Sequence, residues 1–277
     1  MKSFKPMSKP EFEGLKRFIY QQSGLYFSEA KTYFLENKLS KRLIELGFTN
    51  FQDYLDFLKG ERDTNELHRL FEVVTTNETS FYRNPQQIEA LTDHILPRLV
   101  GQARNQKRNR LKIWSAACSS GEEPYSLAMA LLEHQSRWQG LKIKIEACDL
   151  SHRALDQGKK GLYAAYSMRN LPEPMRAKYF EEKDGFFQIS DKVRGMVHFS
   201  FRNLMEADGK SRSYDAVFCR NLLIYLDLDS KRKVVENLYQ ALRTRGYLFI
   251  GPSESLHNVH KNFELEHFVR ALVYLKN

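Results

Sequence analysis

From residue 110 onward, short apolar runs alternate with helix-like stretches, and this rhythm limits the possible folds more than any other feature of the chain. The runs are RLKIWSAA, LKIKIEACD, MVHFSFRN, SYDAVFCRN and GYLFIGPS, each rich in β-branched or aromatic residues. Such runs suit strands buried on both faces, and helices between them imply parallel βαβ units. PYSLAMALLEH and DSKRKVVENLYQALR are the clearest crossover helices. The sequence therefore predicts an α/β fold with a mostly parallel sheet.

Two segments depart from this repeating unit. Residues 158–196 are too long for one crossover helix, and they contain LPEPMRAKYF and GFFQIS, which indicate a short helix and a small β excursion. The C-terminal NFELEHFVRALVYLKN has strand-like runs without a following helix, so it should pair antiparallel at a sheet edge.

Residues 1–75 have the spacing of a helical unit. EFEGLKRFIYQQSG, a stripe of leucines after Ser28, NFQDYLDFLKG and TNELHRLFEVV each place apolar residues on one face of a helix. We therefore expect a helical domain over 1–75, a linker and cofactor-contacting segment over 76–110, and the α/β domain over 111–277 with 158–196 inserted in it.

The composition excludes several classes of protein. The longest apolar runs fall well short of the ~20 residues that a membrane span requires. The N-terminal MKSFKPMSKPEFEG lacks the apolar core of a secretory signal, which predicts a cytoplasmic location. Three scattered cysteines and the lack of a Cys/His cluster with metal spacing predict neither disulfides nor a metal site.

The formal net charge of +9 is unevenly distributed. Residues 97–112 hold six basic side chains and no acidic one, whereas residues 1–75 hold 12 basic and 11 acidic side chains. A basic run of this kind is typical of a solvated loop. The alternative is a docking patch for an acidic partner, as in proteins that bind nucleic acid.

The segment SAACSSGEEPYS follows the first predicted strand, where α/β folds often hold a phosphate. Phosphate loops are rich in glycine, but only Gly121 is present here. Pro124 belongs in a first helical turn, so Glu122 and Glu123 should lie at the positive end of a helix. They would repel a pyrophosphate and attract an ammonium group. Alternatively, the two acids only complement the helix dipole.

Asp149 ends the second predicted strand, where an acidic side chain can accept both hydroxyls of a ribose. A ligand with an amino acid group, a ribose and no phosphate is S-adenosylmethionine, whose product after methyl transfer is S-adenosylhomocysteine. Methyltransferase sheets also carry an antiparallel strand near one edge, as the C-terminal segment predicts.

The chain resembles the CheR family of chemotaxis receptor methyltransferases in six blocks that occur in the family's order. The blocks are TTNETSFYRN (75–84), WSAACSSGEEPYS (114–126), EACDLS (146–151), FRNL (201–204), FCRNLLIYLD (218–227) and GYLFIGPSESL (246–256). The resemblance implies a small all-α domain followed by a class I, Rossmann-like S-adenosylmethionine-dependent methyltransferase domain with an inserted β-subdomain at 158–196.

The resemblance also implies a reaction and a site. The reaction is methyl transfer to the γ-carboxylates of glutamates on bacterial chemoreceptors (methyl-accepting chemotaxis proteins). The implied cofactor-binding residues are Asn77, Thr79, Arg83, Glu123, Asp149, Asn203, Leu204, Asn221 and Leu222. Whether Glu122 or Glu123 meets the methionine ammonium stays open at this point.

Two residues are candidates for catalytic roles. A glutamate acceptor is already a carboxylate at neutral pH, so the reaction requires positioning rather than a general base. Arg83 can grip a carboxylate with two N–H donors, although it could instead be a solvated arginine at a helix start. Tyr225 can pack on the substrate or donate to it, although an aromatic in LLIYL is also typical of a core.

The implied partner is the cytoplasmic helical region of chemoreceptors, with neither nucleic acid binding nor membrane insertion. The second helix carries Lys31, Lys38, Lys41 and Arg42 and resembles the family's receptor-docking helix, but acidic residues dilute it. Members that hold a receptor tail peptide tend to have a glycine-rich insertion where this chain has only KDGFF, which argues against such tethering. The alternatives are a methyltransferase of another substrate such as RNA, and a non-catalytic S-adenosylmethionine-binding docking module.

Overall fold

The computed structural model describes residues 5–60, 64–75, 78–207, 209 and 211–277. Four helices come first, as the periodicity predicts: α1 (Lys9–Ser23), α2 (Thr32–Leu46), α3 (Phe51–Gly60) and α4 (Thr64–Val74). The carboxylate of Glu11 links two of their N-termini. Its Oε2 accepts from the backbone N–H of Ser8 at 2.8 Å, and its Oε1 accepts from the N–H of Phe51 at 3.1 Å. One side chain therefore caps α1 and α3 together.

The region expected to be a solvated basic loop is largely helical, so that prediction is wrong. α5 (Pro85–Glu89) continues through a π-helical stretch (Ala90–Ile95) into α6 (Leu96–Asn105). Leu99 and Ala103 of α6 are buried at helical spacing, which explains why the segment is ordered against the sheet. Two of its arginines also form ion pairs with distant residues of the chain. Arg98 pairs with Glu266 at 2.7 Å, and Arg108 pairs with Asp215 at 2.8 Å.

Strands and helices alternate along the rest of the chain, as the sequence predicts for an α/β domain. The strands are β1 (Arg110–Ala116), β2 (Lys142–Asp149), β3 (Leu162–Ala164), β4 (Phe180–Lys183), β5 (Phe186–Ile189), β6 (Val197–Phe201), β7 (Tyr214–Cys219), β8 (Leu242–Ile250), β9 (Phe263–Phe268) and β10 (Ala271–Lys276). The helices are α7 (Glu122–Glu133), α8 (His152–Lys160), α9 (Glu173–Tyr179), α10 (Asp191–Arg194) and α11 (Leu228–Ala241).

Seven strands form the main sheet in the order β6-β2-β1-β7-β8-β10-β9. The pairs among β6, β2, β1, β7 and β8 are parallel, and β10 pairs antiparallel with β8. The predicted antiparallel edge is therefore confirmed, although it is a hairpin of β9 and β10 rather than one strand. Because the chain crosses from β6 back to β7 beside β1, the order reverses between β1 and β7, which is where an α/β sheet opens a crevice.

The predicted β excursion between the second and third strands of the main sheet is a separate small sheet of order β3-β5-β4. It is antiparallel and carries the short helix α9. The predicted fold class, an all-α unit followed by an α/β domain with an inserted β-subdomain, is confirmed. Within the ranges given above, no helix is both long enough and apolar enough to cross a bilayer.

The helical unit packs against the loops that follow the strands of the main sheet. One apolar cluster joins Leu15 and Leu39 of the unit to Trp114 of β1 and Val217 of β7. Backbone contacts add to this packing, because the N–H of Tyr26 donates to the carbonyl of Tyr225 at 2.9 Å. The helical unit therefore lies against the carboxyl ends of the strands.

Candidate active site

The turn after β1 is built from left-handed residues. Ala117, Ser119 and Gly121 have φ angles of 63°, 50° and 93°, and the N–H of Cys118 donates to the carbonyl of Cys148. A Cβ at position 121 would lie 2.9 Å from the ring of Phe199, so glycine is required there for space as well as for backbone conformation. The turn reverses the chain and starts α7 at Glu122, as the position of the proline predicts.

The side chains of the adjacent Glu122 and Glu123 have different hydrogen-bond partners. Glu122 is only 2% exposed and accepts hydrogen bonds from the hydroxyls of Ser120 and Ser167 at 2.7 and 3.0 Å. Glu123 accepts from the hydroxyl of Ser115 at 2.7 Å, and Arg220 donates to it at 3.2 Å. Burial raises the pKa of both carboxyls. Of the two, Glu123 lines the cavity at the ends of the strands.

Asp149 is buried at the end of β2, with each carboxylate oxygen bonded to a backbone amide. Its Oδ2 accepts from the N–H of Ser119 at 2.8 Å, and its Oδ1 accepts from the N–H of Ser151 at 2.9 Å. Burial raises the pKa of this carboxyl, and the amide donors oppose the rise. The amides fix the carboxylate in place, and each oxygen keeps a further lone pair for a ligand hydroxyl.

The loops after β6 and β7 bring in two Asn-Leu pairs. Asn203 uses its side-chain amide to donate to the carbonyl of Gln22 in α1 at 2.7 Å. Asn221 has a φ of 57°, and its N–H donates to the carboxylate of Glu254 at 3.0 Å. Glu254 therefore supports the loop after β7 from the end of β8, in the GPSESL block. Tyr225 is 39% exposed, so it is not a core residue.

The segment before α5 supplies Thr79 and Arg83. The Arg83 guanidinium donates to the carbonyl of Glu78 at 2.9 Å, and Arg220 donates to the carbonyl of Arg83 at 2.7 Å. Asn77, predicted as a further cofactor contact, lies outside the described residues.

The predicted site residues that the structure describes meet in one cavity, which holds about 1520 Å³ of space free of protein atoms, part of it open to solvent. They are Thr79, Arg83, Glu123, Asp149, Asn203, Leu204, Asn221, Leu222 and Tyr225. The helical unit completes the wall with a set that the sequence did not predict: Ser23, Leu25, Tyr26, Phe27, Lys31 and Phe34.

Arg220 is the other residue that sequence reasoning missed. Its side chain is 4% exposed and contacts Glu123, the carbonyl of Arg83 and the side-chain oxygen of Asn84. Among the described residues, its buried Nε has no hydrogen-bond partner. An arginine directly after a buried strand needs a counter-charge, and an acid in the first turn of the neighbouring helix was the available signal.

The fold and the cavity together define a class of enzyme. A parallel sheet with an antiparallel edge carries, at its switch point, two carboxylates, a buried guanidinium with an open donor, two asparagines and two leucines. This donor set fits a zwitterionic amino acid, a ribose and an apolar base, whereas a single-glycine turn followed by acids does not suit a pyrophosphate. The protein is an S-adenosylmethionine-dependent methyltransferase.

Comparison with known proteins gives the family. The model described as "CheR methyltransferase, SAM binding domain" matches residues 77–271, and "CheR methyltransferase, all-alpha domain" matches residues 10–75. The chain therefore belongs to the CheR methyltransferase family, as its six motif blocks predict.

Curated relatives match over nearly the whole chain. Chemotaxis protein methyltransferase 2 of Vibrio cholerae is 35% identical over 96% of this chain and 92% of its own length. Chemotaxis protein methyltransferase of Borreliella burgdorferi is 34% identical over 98% of this chain and 95% of its own. A protein of the same name from Vibrio anguillarum is 34% identical over 97% of both chains.

Proposed function

We propose that this enzyme transfers the methyl group of S-adenosylmethionine to the γ-carboxylates of glutamates on chemoreceptors, acting in the cytoplasm. The observation that carries the proposal is the mixed charge of one cavity. Glu123 and Asp149 suit a cationic nucleoside, whereas Arg83 and Lys31 line the same cavity and suit an anionic acceptor. The names of the relatives, chemotaxis protein methyltransferases, support methyl transfer in chemotaxis.

The residues around the turn after β1 would hold the cofactor, which supplies an electrophilic methyl group when bound. Glu123 would attract the ammonium group of the cofactor's methionine part. The free Nε–H of Arg220 would donate to the carboxylate of the same methionine part. Asp149 would accept the ribose hydroxyls while its amide bonds hold it in place. The remaining contacts would come from Asn77, Thr79, Arg83, Asn203, Leu204, Asn221 and Leu222.

The acceptor side requires positioning. A glutamate has an ordinary pKa of about 4.3, so its carboxylate is ready to attack at neutral pH without a base. Consistent with this, no histidine is found among the described residues that line the cavity. Correct placement of the reacting oxygen can supply roughly 7–11 kcal/mol of the rate enhancement.

Arg83 and Tyr225 would provide that placement. One of the Arg83 donors is bonded to the carbonyl of Glu78, which leaves further N–H groups for the acceptor carboxylate. We expect Arg83 to bind one carboxylate oxygen and to leave the other free, because a donor on the attacking oxygen would reduce its nucleophilicity. The half-exposed Tyr225 would pack on the substrate or donate to it.

Receptor docking by α2 would rest on fewer charges than its sequence suggests. Arg42 is paired with Glu66 and Glu45. Lys31, just before α2, and Lys38 both lie over the ring of Phe34, at 5.5 and 5.6 Å, and both are exposed. We propose that these lysines contact the helical region of a receptor, and that the short β4–β5 turn holds no receptor tail peptide.

Replacing Arg83 by alanine tests the proposal. Receptor fragments incubated with methyl-labelled cofactor should gain alkali-labile methyl esters with the wild type. Arg83→Ala should lower the rate about 100-fold, as expected for a misplaced reactant, while its affinity for S-adenosylhomocysteine changes much less. Arg232→Ala, which removes an exposed arginine on α11, is the matched control.

The other outcomes separate the alternatives. Label on RNA instead of receptor fragments would favour a nucleic acid substrate. Tight binding of S-adenosylhomocysteine without transfer to either substrate would leave a docking module, and the proposed reaction would be wrong.

A further inference from the structure

The inserted subdomain is bonded to the back of the segment that carries Thr79 and Arg83. The side-chain amide of Asn170 donates to the hydroxyl of Ser80 at 3.0 Å, and Ser80 is 1% exposed. Arg169 donates to the carbonyl of Thr79 at 3.4 Å and pairs with Glu78 at 3.5 Å. The insertion therefore contacts each of the three successive residues 78–80.

A second set of contacts fixes the next residues of the same segment. The N–H of Phe81 donates to the carbonyl of Ser167 at 3.0 Å. The Phe81 ring is fully buried and packs edge-on against Tyr163 of β3 and Phe180 of β4, with centroids 4.8 and 5.1 Å away. The subdomain therefore holds both the backbone and a buried side chain of this segment.

The segment needs external support because its own backbone is unfavourable. Residues 78–84 form no helix or strand, and Tyr82 and Asn84 have φ angles of 53° and 56°. The left-handed region is sterically unfavourable for a non-glycine residue, so such a conformation persists where surrounding contacts hold it. The named contacts to residues 163–180 hold residues 78–81 of the segment. The residues that follow are held from the other side, because the N–H of Tyr82 donates to the hydroxyl of Ser126 at 2.9 Å and Arg220 donates to Arg83 and Asn84.

We propose that the inserted subdomain positions the active site, with Arg169 and Asn170 as the positioning residues. They hold residues 78–80, and Arg83 in turn donates to the carbonyl of Glu78, so that Thr79 and Arg83 face the cavity. In this way they set the rate of methyl transfer. This inference rests on the proposed function for the roles of Thr79 and Arg83. It gives the subdomain a task inside the enzyme that requires no receptor peptide.

The test compares arginines of the same insertion. Arg169→Ala and Asn170→Ala each remove contacts to the segment, whereas Arg176→Ala removes an arginine that bonds to Glu173 and covers the ring of Phe187, both inside the insertion. Each of the first two variants should lower kcat about fivefold, the effect of one net hydrogen bond, and the double variant more. Arg176→Ala should stay within about twofold of the wild type.

Four further readouts separate positioning from general destabilisation. Melting temperatures of Arg169→Ala and Arg176→Ala should be alike, while amide hydrogen exchange in residues 78–84 should speed up only in the former. KM for the receptor fragment should change less than kcat. Ser80→Ala combined with Asn170→Ala should be no slower than Asn170→Ala alone, because the two side chains share one bond.

Several results of these experiments would overturn the inference. Wild-type kcat and unchanged exchange in the Arg169→Ala/Asn170→Ala variant would overturn the inference, as would an equal loss in Arg176→Ala. If the wild type labels no receptor fragment, the proposed function fails instead. In that case the affinity for S-adenosylhomocysteine decides the inference, because it should still weaken about fivefold in the double variant.

Discussion

Replacing Arg220 by methionine should destabilise the protein much more than removal of a surface arginine. The guanidinium is 4% exposed and makes an ion pair with Glu123 at 3.2 Å, together with bonds of 2.7 and 2.6 Å to the carbonyl of Arg83 and to Asn84. Methionine keeps the apolar volume but leaves a carboxylate without its counter-charge. Breaking a buried pair in this way costs about 3–5 kcal/mol. In a chain of this size that corresponds to a fall of about 10 °C in melting temperature.

The pH dependence of the stability loss in Arg220→Met shows whether the unpaired charge of Glu123 causes it. Burial already raises the pKa of Glu123, Arg220 opposes the rise, and the variant should raise it further. A carboxyl whose pKa is higher in the folded than in the unfolded state stabilises the fold at low pH and loses that contribution as pH rises through the folded pKa. The melting temperature of Arg220→Met should therefore differ from the wild type less at about pH 5 than at about pH 8.

Scanning calorimetry at both pH values measures the effect, with Arg176→Met as a control because its partner Glu173 is exposed. The control should cost less than about 1 kcal/mol. Adding Glu123→Gln to Arg220→Met should restore part of the loss, since the uncompensated charge is removed. Equal losses in the two arginine variants, or strict additivity in the double variant, would refute the reasoning.

Further predictions concern the cofactor and the turn. Asp149→Asn should weaken affinity for S-adenosylhomocysteine about tenfold in titration calorimetry, because charge-assisted bonds are lost. Burial raises the pKa of Asp149 and Glu123, so both should be protonated at a higher pH than exposed carboxyls. Affinity for S-adenosylhomocysteine should therefore fall as the pH is lowered from about 8 to about 5. An affinity that does not change with pH would contradict this. Gly121→Ala, whose Cβ would meet Phe199 at 2.9 Å, should cost about 1–3 kcal/mol more in thermal unfolding than Gly140→Ala, which has a φ of 82° and no atom within 4 Å.

Much of the sheet and of its site could be predicted because local pattern and topology act together. Each of the five parallel strands was recognisable from its own apolar run, and parallel strands place their carboxyl ends at one edge. Asp149, Asn203 and Asn221 therefore had to lie near one another once the strands were assigned. The two glutamates could not be separated in this way, because neighbouring helical residues point about 100° apart and their orientation depends on how α7 packs.

The parts that escaped prediction depend on contacts between distant segments. Leu25 and Lys31 line the cavity only because the helical unit docks on the sheet, and nothing in their own neighbourhood signals it. The basic run at 97–112 looked like a solvated loop because its acidic partners, Glu266 and Asp215, lie far along the chain. Charge that is compensated across the fold is invisible to a reading of one segment.

The isolated β-bridge between Leu25 and Leu226 has a consequence for how such chains can be recombined. Together with the bond from Asn203 to Gln22, it makes the junction between α1 and α2 part of the same wall as the loops after β6 and β7. A chimera that takes its helices from one relative and its sheet from another should be active only if the α1–α2 junction and the loops after β6 and β7 come from the same relative. Over evolutionary time, substitutions on the two sides are expected to accumulate in step.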